Sequence, residues 1–195
     1  AVNPRSERYN FNHSENLRAL TAGLVYDGGS HYLTATYDAF YPDSSVAGHY
    51  PSASAWAAGG MMEMAGIQLS AAYGQARNGW MNELHPPGEH RSFDDTNTNV
   101  VFDPNIAVNS YLFGVTVPVN HDSSVFGLLQ AAQPTASMRH NARYAVATQS
   151  MISLGFTHAL SKRTNLYAFA GYAKNFSLVD GLVSAVAGAG VRQQF

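Results

Sequence analysis

The sequence of 195 residues predicts an all-β fold in which antiparallel strands cross a membrane as a transmembrane β-barrel. Three observations lead to this prediction. Apolar and polar residues alternate with a period of two, the alternating segments are about ten to fifteen residues long, and short connections alternate with longer ones. Soluble strands are typically about five or six residues long, whereas a strand that crosses a bilayer at a tilt needs about ten.

The predicted strands begin with a hairpin. Residues 17–27 and 30–41 both alternate, and the turn signal Asp27-Gly28-Gly29 joins them. Seven further alternating segments predict strands at residues 54–63, 66–75, 109–119, 124–133, 148–160, 164–175 and 181–195. Residues 76–108 are predicted to form a long connection. Because bacterial single-chain barrels have an even number of strands, nine strands predict that the native barrel contains more strands than these.

The apolar positions of each strand share one parity, and we expect them to face lipid. This predicted lipid face consists of Leu20, Leu24, Leu33, Tyr37, Trp56, Leu69, Tyr111, Phe113, Leu129, Leu154, Phe156, Leu166 and Phe195. Several of its aromatic residues fall near strand ends, where interfacial aromatic girdles lie in membrane barrels.

Polar residues occupy the opposite parity, which predicts the wall of a water-filled lumen. The candidate pore-lining residues are Thr34, Thr36, Asp38, Gln68, Ser70, Ser110, Thr116, Gln130, Gln149, Ser153, Asn165 and Arg192. Hydroxyl and amide groups solvate ions without trapping them, so they suit passage rather than tight binding. The charged residues Glu63, Lys162 and Arg163 fall near short turns, where fixed charges bias the entry of solutes.

Four large apolar residues break this pattern, because Phe126, Leu128, Tyr167 and Phe169 have the parity of the predicted lumen. Two explanations are open at this point. Either the register of these two strands is shifted, or the pore wall is less polar there.

Composition excludes several classes of protein. Charged residues make up only 12% of the chain and the net charge is −2, so no basic surface for nucleic acid is expected. The absence of cysteine excludes disulfides, thiolate zinc sites and cysteine nucleophiles. A soluble β-sandwich would cover its outer face with more charge than this chain carries.

Two patterns resemble catalytic or metal-binding chemistry, and we expect neither to be functional. The segment ELHPPGEH contains His85 and His90 beside two glutamates, but its prolines and glycine exclude the helix that would align the ligands, so a solvated loop is expected. Ser153 and His158 lie on one strand with opposite parity and therefore cannot pair as a hydrolase would require. We predict no enzymatic activity, no metal and no cofactor.

Residues 109–195 resemble the trimeric general-diffusion porins of Gram-negative outer membranes, in the β-proteobacterial branch. The resemblance rests on NSYLFGVTVPV, on SLGFTHALSKRTNLYAFAGYAKN and on the closing GVRQQF. The most specific part is LSKRTNLY, residues 160–167, which is a strand end, a periplasmic turn with two cations and the start of the next strand.

This resemblance implies that residues 1–195 form one β-barrel domain, the C-terminal portion of a porin of about 16 strands. It implies a homotrimer in outer-membrane lipid that conducts ions and small hydrophilic solutes by passive diffusion. It also implies that Phe195, on the terminal strand, is presented to the outer-membrane assembly machinery. The N-terminal strand and the inward-folded third loop of the family are not found in the sequence. The alternative is a small β-barrel that binds an apolar ligand in its interior, and the two differ in which face is apolar.

Overall fold

The computed structural model describes residues 18–41, 52–82, 100–141 and 146–194. Within these ranges nine strands form one antiparallel sheet in which every strand pairs with its neighbours in chain order. The strands are β1 (Arg18–Asp27), β2 (His31–Tyr41), β3 (Ala53–Met64), β4 (Ile67–Asn82), β5 (Val100–Asn120), β6 (Ser123–Pro134), β7 (Gln149–Ser161), β8 (Thr164–Lys174) and β9 (Val183–Gln193). A short helix, α1 (Ala136–Asn141), follows β6, and a single 3-10 turn at Phe176–Leu178 follows β8. No helix in these ranges has the length and apolar character needed to cross a bilayer.

The nine predicted strands are confirmed, but the predicted loop over residues 76–108 was wrong at both ends. β4 continues to Asn82 and β5 begins at Val100, so the two strands extend beyond the rest of the sheet. Their register shifts between Arg77 and Gly79, where Asn78 and Gly79 have positive φ angles of 52° and 149°. This bulge explains why a loop was predicted here. Asn78, Gly79 and the nearby Pro104 are residue types that usually indicate a loop. Irregular pairing at a bulge accommodates all three.

The sheet is open. β1 pairs only with β2 and β9 only with β8 among the described strands, so the two outermost strands do not pair with each other. The sequence predicted a barrel with more strands than these nine, and within the described residues the open sheet leaves two rows of backbone N–H and C=O groups that hydrocarbon cannot satisfy.

The strand register divides the side chains into two faces, because residues paired across an antiparallel ladder point to the same side. One side, here called the apolar face, carries Leu24 on β1 and Leu154 on β7, which are 77% and 57% exposed. The predicted lipid-facing residues all lie on this face, except Phe195, which is outside the described residues. All of them are exposed apart from Leu69 and Leu166, which are half-buried. The prediction that these side chains are exposed rather than buried is therefore confirmed for most of the face.

The other side, here called the polar face, carries a small apolar core at its long-loop end. Ile106 of β5, Met138 of α1 and Leu178 of the 3-10 turn are buried against one another, and Val108, Ala132 and Val146 pack around them. The segments after β6 and after β8 are joined there. The Ala147 N–H donates to the Leu178 carbonyl at 2.9 Å, and the Asn175 side-chain amide donates to the Thr148 carbonyl at 2.9 Å. These contacts hold two connections over the end of the polar face.

Candidate pore wall

All twelve predicted pore-lining residues lie on the polar face. The register pairs Gln68 with Thr116 and Asn165 with Arg192, and it places the other eight residues on the same face of β2, β4, β5, β6 and β7. They are spread from β2 to β9 and do not converge on one point. Their arrangement is a wall of hydroxyl, amide and charged groups.

Two of these residues form hydrogen bonds that the sequence did not reveal. Asp38 accepts a hydrogen bond of 2.8 Å from the Thr21 hydroxyl, which lies directly opposite on β1. The Gln149 side-chain oxygen accepts a hydrogen bond of 2.9 Å from the Ser177 backbone N–H. Gln149 therefore holds the segment after β8 in place at the long-loop end, in addition to lying on the polar face.

The four apolar residues that broke the sequence pattern also lie on the polar face. The β6–β7 and β8–β9 ladders run through Phe126, Leu128, Tyr167 and Phe169 without a register shift. The explanation by a shifted register was wrong, because these four apolar side chains lie on the polar face without any shift.

Glycines explain how three of the large rings fit on this wall. Phe126 is paired with Gly155, Phe169 with Gly188 and Tyr167 with Gly190. A Cβ atom at Gly188 would lie 2.8 Å from the Phe169 ring, and one at Gly190 would lie 2.6 Å from the Tyr167 hydroxyl oxygen. At Gly155 it would overlap the Phe126 ring. Each ring therefore lies across a glycine of the neighbouring strand, an arrangement in which the ring covers backbone that has no side chain. Here Phe126, Tyr167 and Phe169 are called the aromatic ledge.

The short-turn end of the wall near the aromatic ledge is cationic. An open cavity of about 980 Å³ lies there, and its lining includes Phe126, Tyr167, Asn165, Arg192, Lys162 and Arg163. Glu63 also lies on the polar face near a short turn, but on β3, several strands away. The acidic residue and the two basic residues that were predicted near the short turns are therefore separated across the sheet.

One histidine in a short turn has a perturbed pKa. His121, between β5 and β6, is hydrogen-bonded to the adjacent Asp122 carboxylate at 3.0 Å. This hydrogen bond, reinforced by the negative charge, raises the pKa of His121 above its usual value. The imidazolium form therefore persists to higher pH than in an ordinary exposed histidine.

The apolar face carries a hydrogen-bonded cluster that the sequence analysis did not identify. The Trp56 indole N–H donates to the Gln75 oxygen at 3.3 Å, and the Gln75 amide donates to the Tyr73 hydroxyl and to the Asn109 oxygen at 2.9 Å each. The Tyr73 ring packs against Trp56 and Tyr111 with centroid separations of 5.4 and 5.2 Å. Amphipathic rings with satisfied polar ends are typical of a membrane interface.

Replacing Asn109 with leucine is expected to lower the free energy of unfolding by about 1–3 kcal/mol, because the Tyr73 hydroxyl and the Gln75 amide lose their shared acceptor. Denaturant unfolding from lipid vesicles measures the change. The matched control is Gln133→Leu, since Gln133 is paired with Asn109 on the same face but takes no part in the cluster. An equal effect of both substitutions would contradict the role of Asn109.

The described part of the chain contains no cluster of residues that could hold a metal ion, and it separates the serine and histidine that the sequence raised as a catalytic pair. None of its His, Asp and Glu side chains forms a group of three or more that could hold a metal ion. Ser153 lies on the polar face, whereas His158 lies on the apolar face and is hydrogen-bonded to Ser123 at 2.9 Å. The segment ELHPPGEH is outside the described residues.

Comparison with known proteins gives consistent results at three levels. A family model described as Gram-negative porin matches residues 5–176. An outer membrane porin protein of Bordetella pertussis is 30% identical over 197 aligned positions, which cover 96% of this chain and 49% of that protein. A solved structure titled as a refined porin superposes with a TM-score of 0.62 at 12% identity, covering 92% of this chain and 52% of its own. The chain thus spans about half the length of each of these two proteins. Because the family model covers most of the chain, the protein belongs to the Gram-negative porin family, whose members are located in the bacterial outer membrane.

Proposed function

We propose that this chain forms part of the wall of a water-filled channel through which ions and small hydrophilic solutes diffuse passively across the outer membrane. Membership of the porin family indicates a channel rather than an enzyme. The observation that carries the proposal is the division of one continuous sheet into an exposed apolar face and a face of hydroxyl, amide and charged groups. Lipid on one side and water on the other is the environment that suits such a sheet.

The twelve residues of the polar face named above are proposed to line the channel. Thr36 and Asp38 are exposed there, and the facing positions on the neighbouring strands are small, so water reaches them freely. Neutral oxygen and nitrogen groups replace part of the hydration shell of an ion without holding it tightly. Solutes are therefore expected to pass at rates set by their size and charge.

The remaining wall of the barrel is proposed to come from a part of the protein that this sequence does not include. Among the described strands, β1 and β9 each have one edge without a partner strand, which a membrane-embedded sheet must close. The relative from Bordetella pertussis is about twice as long as the aligned region, which leaves enough chain for the missing strands. We place the present chain in the C-terminal portion of a barrel of about 16 strands.

Two further features follow from the porin resemblance. The barrel is proposed to assemble as a homotrimer in outer-membrane lipid. The closing segment GVRQQF is proposed to be recognised by the outer-membrane assembly machinery through Phe195, a residue outside the described part of the structure. The alternative of a small barrel around an apolar ligand receives no support. Such a barrel would close by pairing β1 with β9, and these two strands do not pair with each other in the described sheet.

Planar lipid bilayers test the proposed function. The complete protein that contains this chain, purified in detergent, is expected to insert with stepwise and ohmic increases in conductance. The same protein reconstituted in liposomes is expected to admit small sugars and to exclude larger oligosaccharides. A sample unfolded by heat in the same detergent serves as the control. A correctly folded protein that leaves the bilayer at its baseline conductance would overturn the proposal.

A further inference from the structure

We propose that the aromatic ledge and the cations beside it form a weak binding subsite on the channel wall for solutes that combine a flat ring with a carboxylate, the class of aromatic monocarboxylates. This inference rests on the proposed diffusion channel, because the subsite lies on the face that is proposed to line the lumen. It goes further by naming a class of solute that the wall retains during passage.

The aromatic ledge offers ring surface to the lumen. The Tyr167 and Phe169 rings are nearly parallel, with an interplanar angle of 14° and centroids 6.5 Å apart. The two residues are 39% and 41% exposed, although they lie on the face that is otherwise rich in polar and small residues. Each ring lies against a glycine of β9, Gly190 or Gly188, and the exposed remainder of the two residues lies on the polar face. A planar apolar group can stack on this surface.

Cations lie next to the rings. In the register Arg192 is paired with Asn165, one inward-facing position closer to the short turn than the pair formed by Tyr167 and Gly190. Lys162 and Arg163 occupy that turn and line the same cavity. Within the described ranges none of the three cations forms a salt bridge with a carboxylate. Their charge is therefore available to an anionic group of a solute.

The combination of rings and cations determines the ligand chemistry. An inorganic anion would use the cations but would gain nothing from the rings. A neutral sugar would use the ring surface but would leave the cations unpaired. A small aromatic carboxylate satisfies both, because its ring stacks on the aromatic ledge while its carboxylate accepts hydrogen bonds from Arg192 and from the Asn165 amide.

Single-channel recording on the complete porin tests this proposal with three probes: benzoate, acetate and glucose. Benzoate is expected to reduce the chloride current in a saturable manner, whereas acetate and glucose at the same concentrations have much weaker effects. Tyr167→Leu keeps an apolar side chain opposite Gly190 but removes the ring, so it is expected to raise the half-blocking benzoate concentration about two- to tenfold. Arg192→Gln is expected to raise it as well, while the effect of acetate changes little.

Tyr172→Leu is the matched control, because Tyr172 is an exposed aromatic residue of the same strand on the apolar face. It is expected to leave the benzoate block unchanged. The proposal is overturned if the channel conducts but benzoate blocks no better than acetate or glucose, or if Tyr172→Leu and Tyr167→Leu shift the block equally. A folded protein without any conductance would instead overturn the proposed channel function.

Discussion

Replacing Leu154 with arginine is expected to lower the free energy of unfolding of the membrane-embedded barrel by about 2–4 kcal/mol. Leu154 is 57% exposed on the apolar face and lies near the middle of β7, the part of the strand expected at the bilayer midplane. An arginine there places a charge in hydrocarbon, where neither water nor a protein partner compensates for it.

Equilibrium unfolding from lipid vesicles in denaturant measures this effect, and Thr36→Arg is the matched control. Thr36 is also exposed near the middle of its strand, β2, but it lies on the polar face. An arginine at this position is expected to reach water in the lumen. It should therefore lower the free energy of unfolding much less than Leu154→Arg does. Equal tolerance of arginine at the two positions would contradict the assignment of the faces.

Replacing Met138 with alanine is expected to lower the local stability of the small core by about 2–5 kcal/mol, which is the range for a large-to-small substitution at a buried position. Met138 is 3% exposed and packs against Ile106 and Leu178 in the small core at the long-loop end. Loss of this contact is expected to loosen the two connections that the core holds together.

Limited proteolysis of the assembled porin detects this loosening, because cleavage near residues 135–148 should become faster while the strands stay protected. Met64→Ala is the control, since Met64 is 61% exposed at the short-turn end of β3. It is expected to leave the rate of cleavage unchanged. Unchanged cleavage in Met138→Ala would contradict the proposed role of the core.

Most of the fold could be predicted from the sequence because a two-residue period is a local signal. Each strand shows it without reference to its neighbours, and the same parity separates the apolar from the polar face. The long ends of β4 and β5 could not be predicted in this way, because their pairing passes through a bulge that contains Asn78 and Gly79. The core of Ile106, Met138 and Leu178 could not be predicted either, since two of these residues lie in connections without any period.

The polar wall was predictable by parity, but its fine structure depends on pairing between strands. Tyr167 and Phe169 look out of place on a polar face until the register brings Gly190 and Gly188 opposite them. The sequence separates these partners by about 20 residues, so no local pattern connects them. Gln149 is a similar case, because its bond to Ser177 becomes visible only when two connections meet.

The central claim is that the apolar face of the sheet contacts lipid and the polar face contacts water. Cysteine accessibility at two adjacent residues of β2 tests this claim most directly. Thr36 lies on the polar face and Ala35 on the apolar face, both are exposed, and this sequence contains no native cysteine. In the complete porin inserted in a planar bilayer, a charged methanethiosulfonate reagent added to the aqueous phase is expected to label Thr36→Cys and lower its conductance, while Ala35→Cys remains unlabelled in lipid. Labelling of Ala35→Cys with no change at Thr36→Cys would contradict the account, because it would place water on the apolar face and lipid on the polar one.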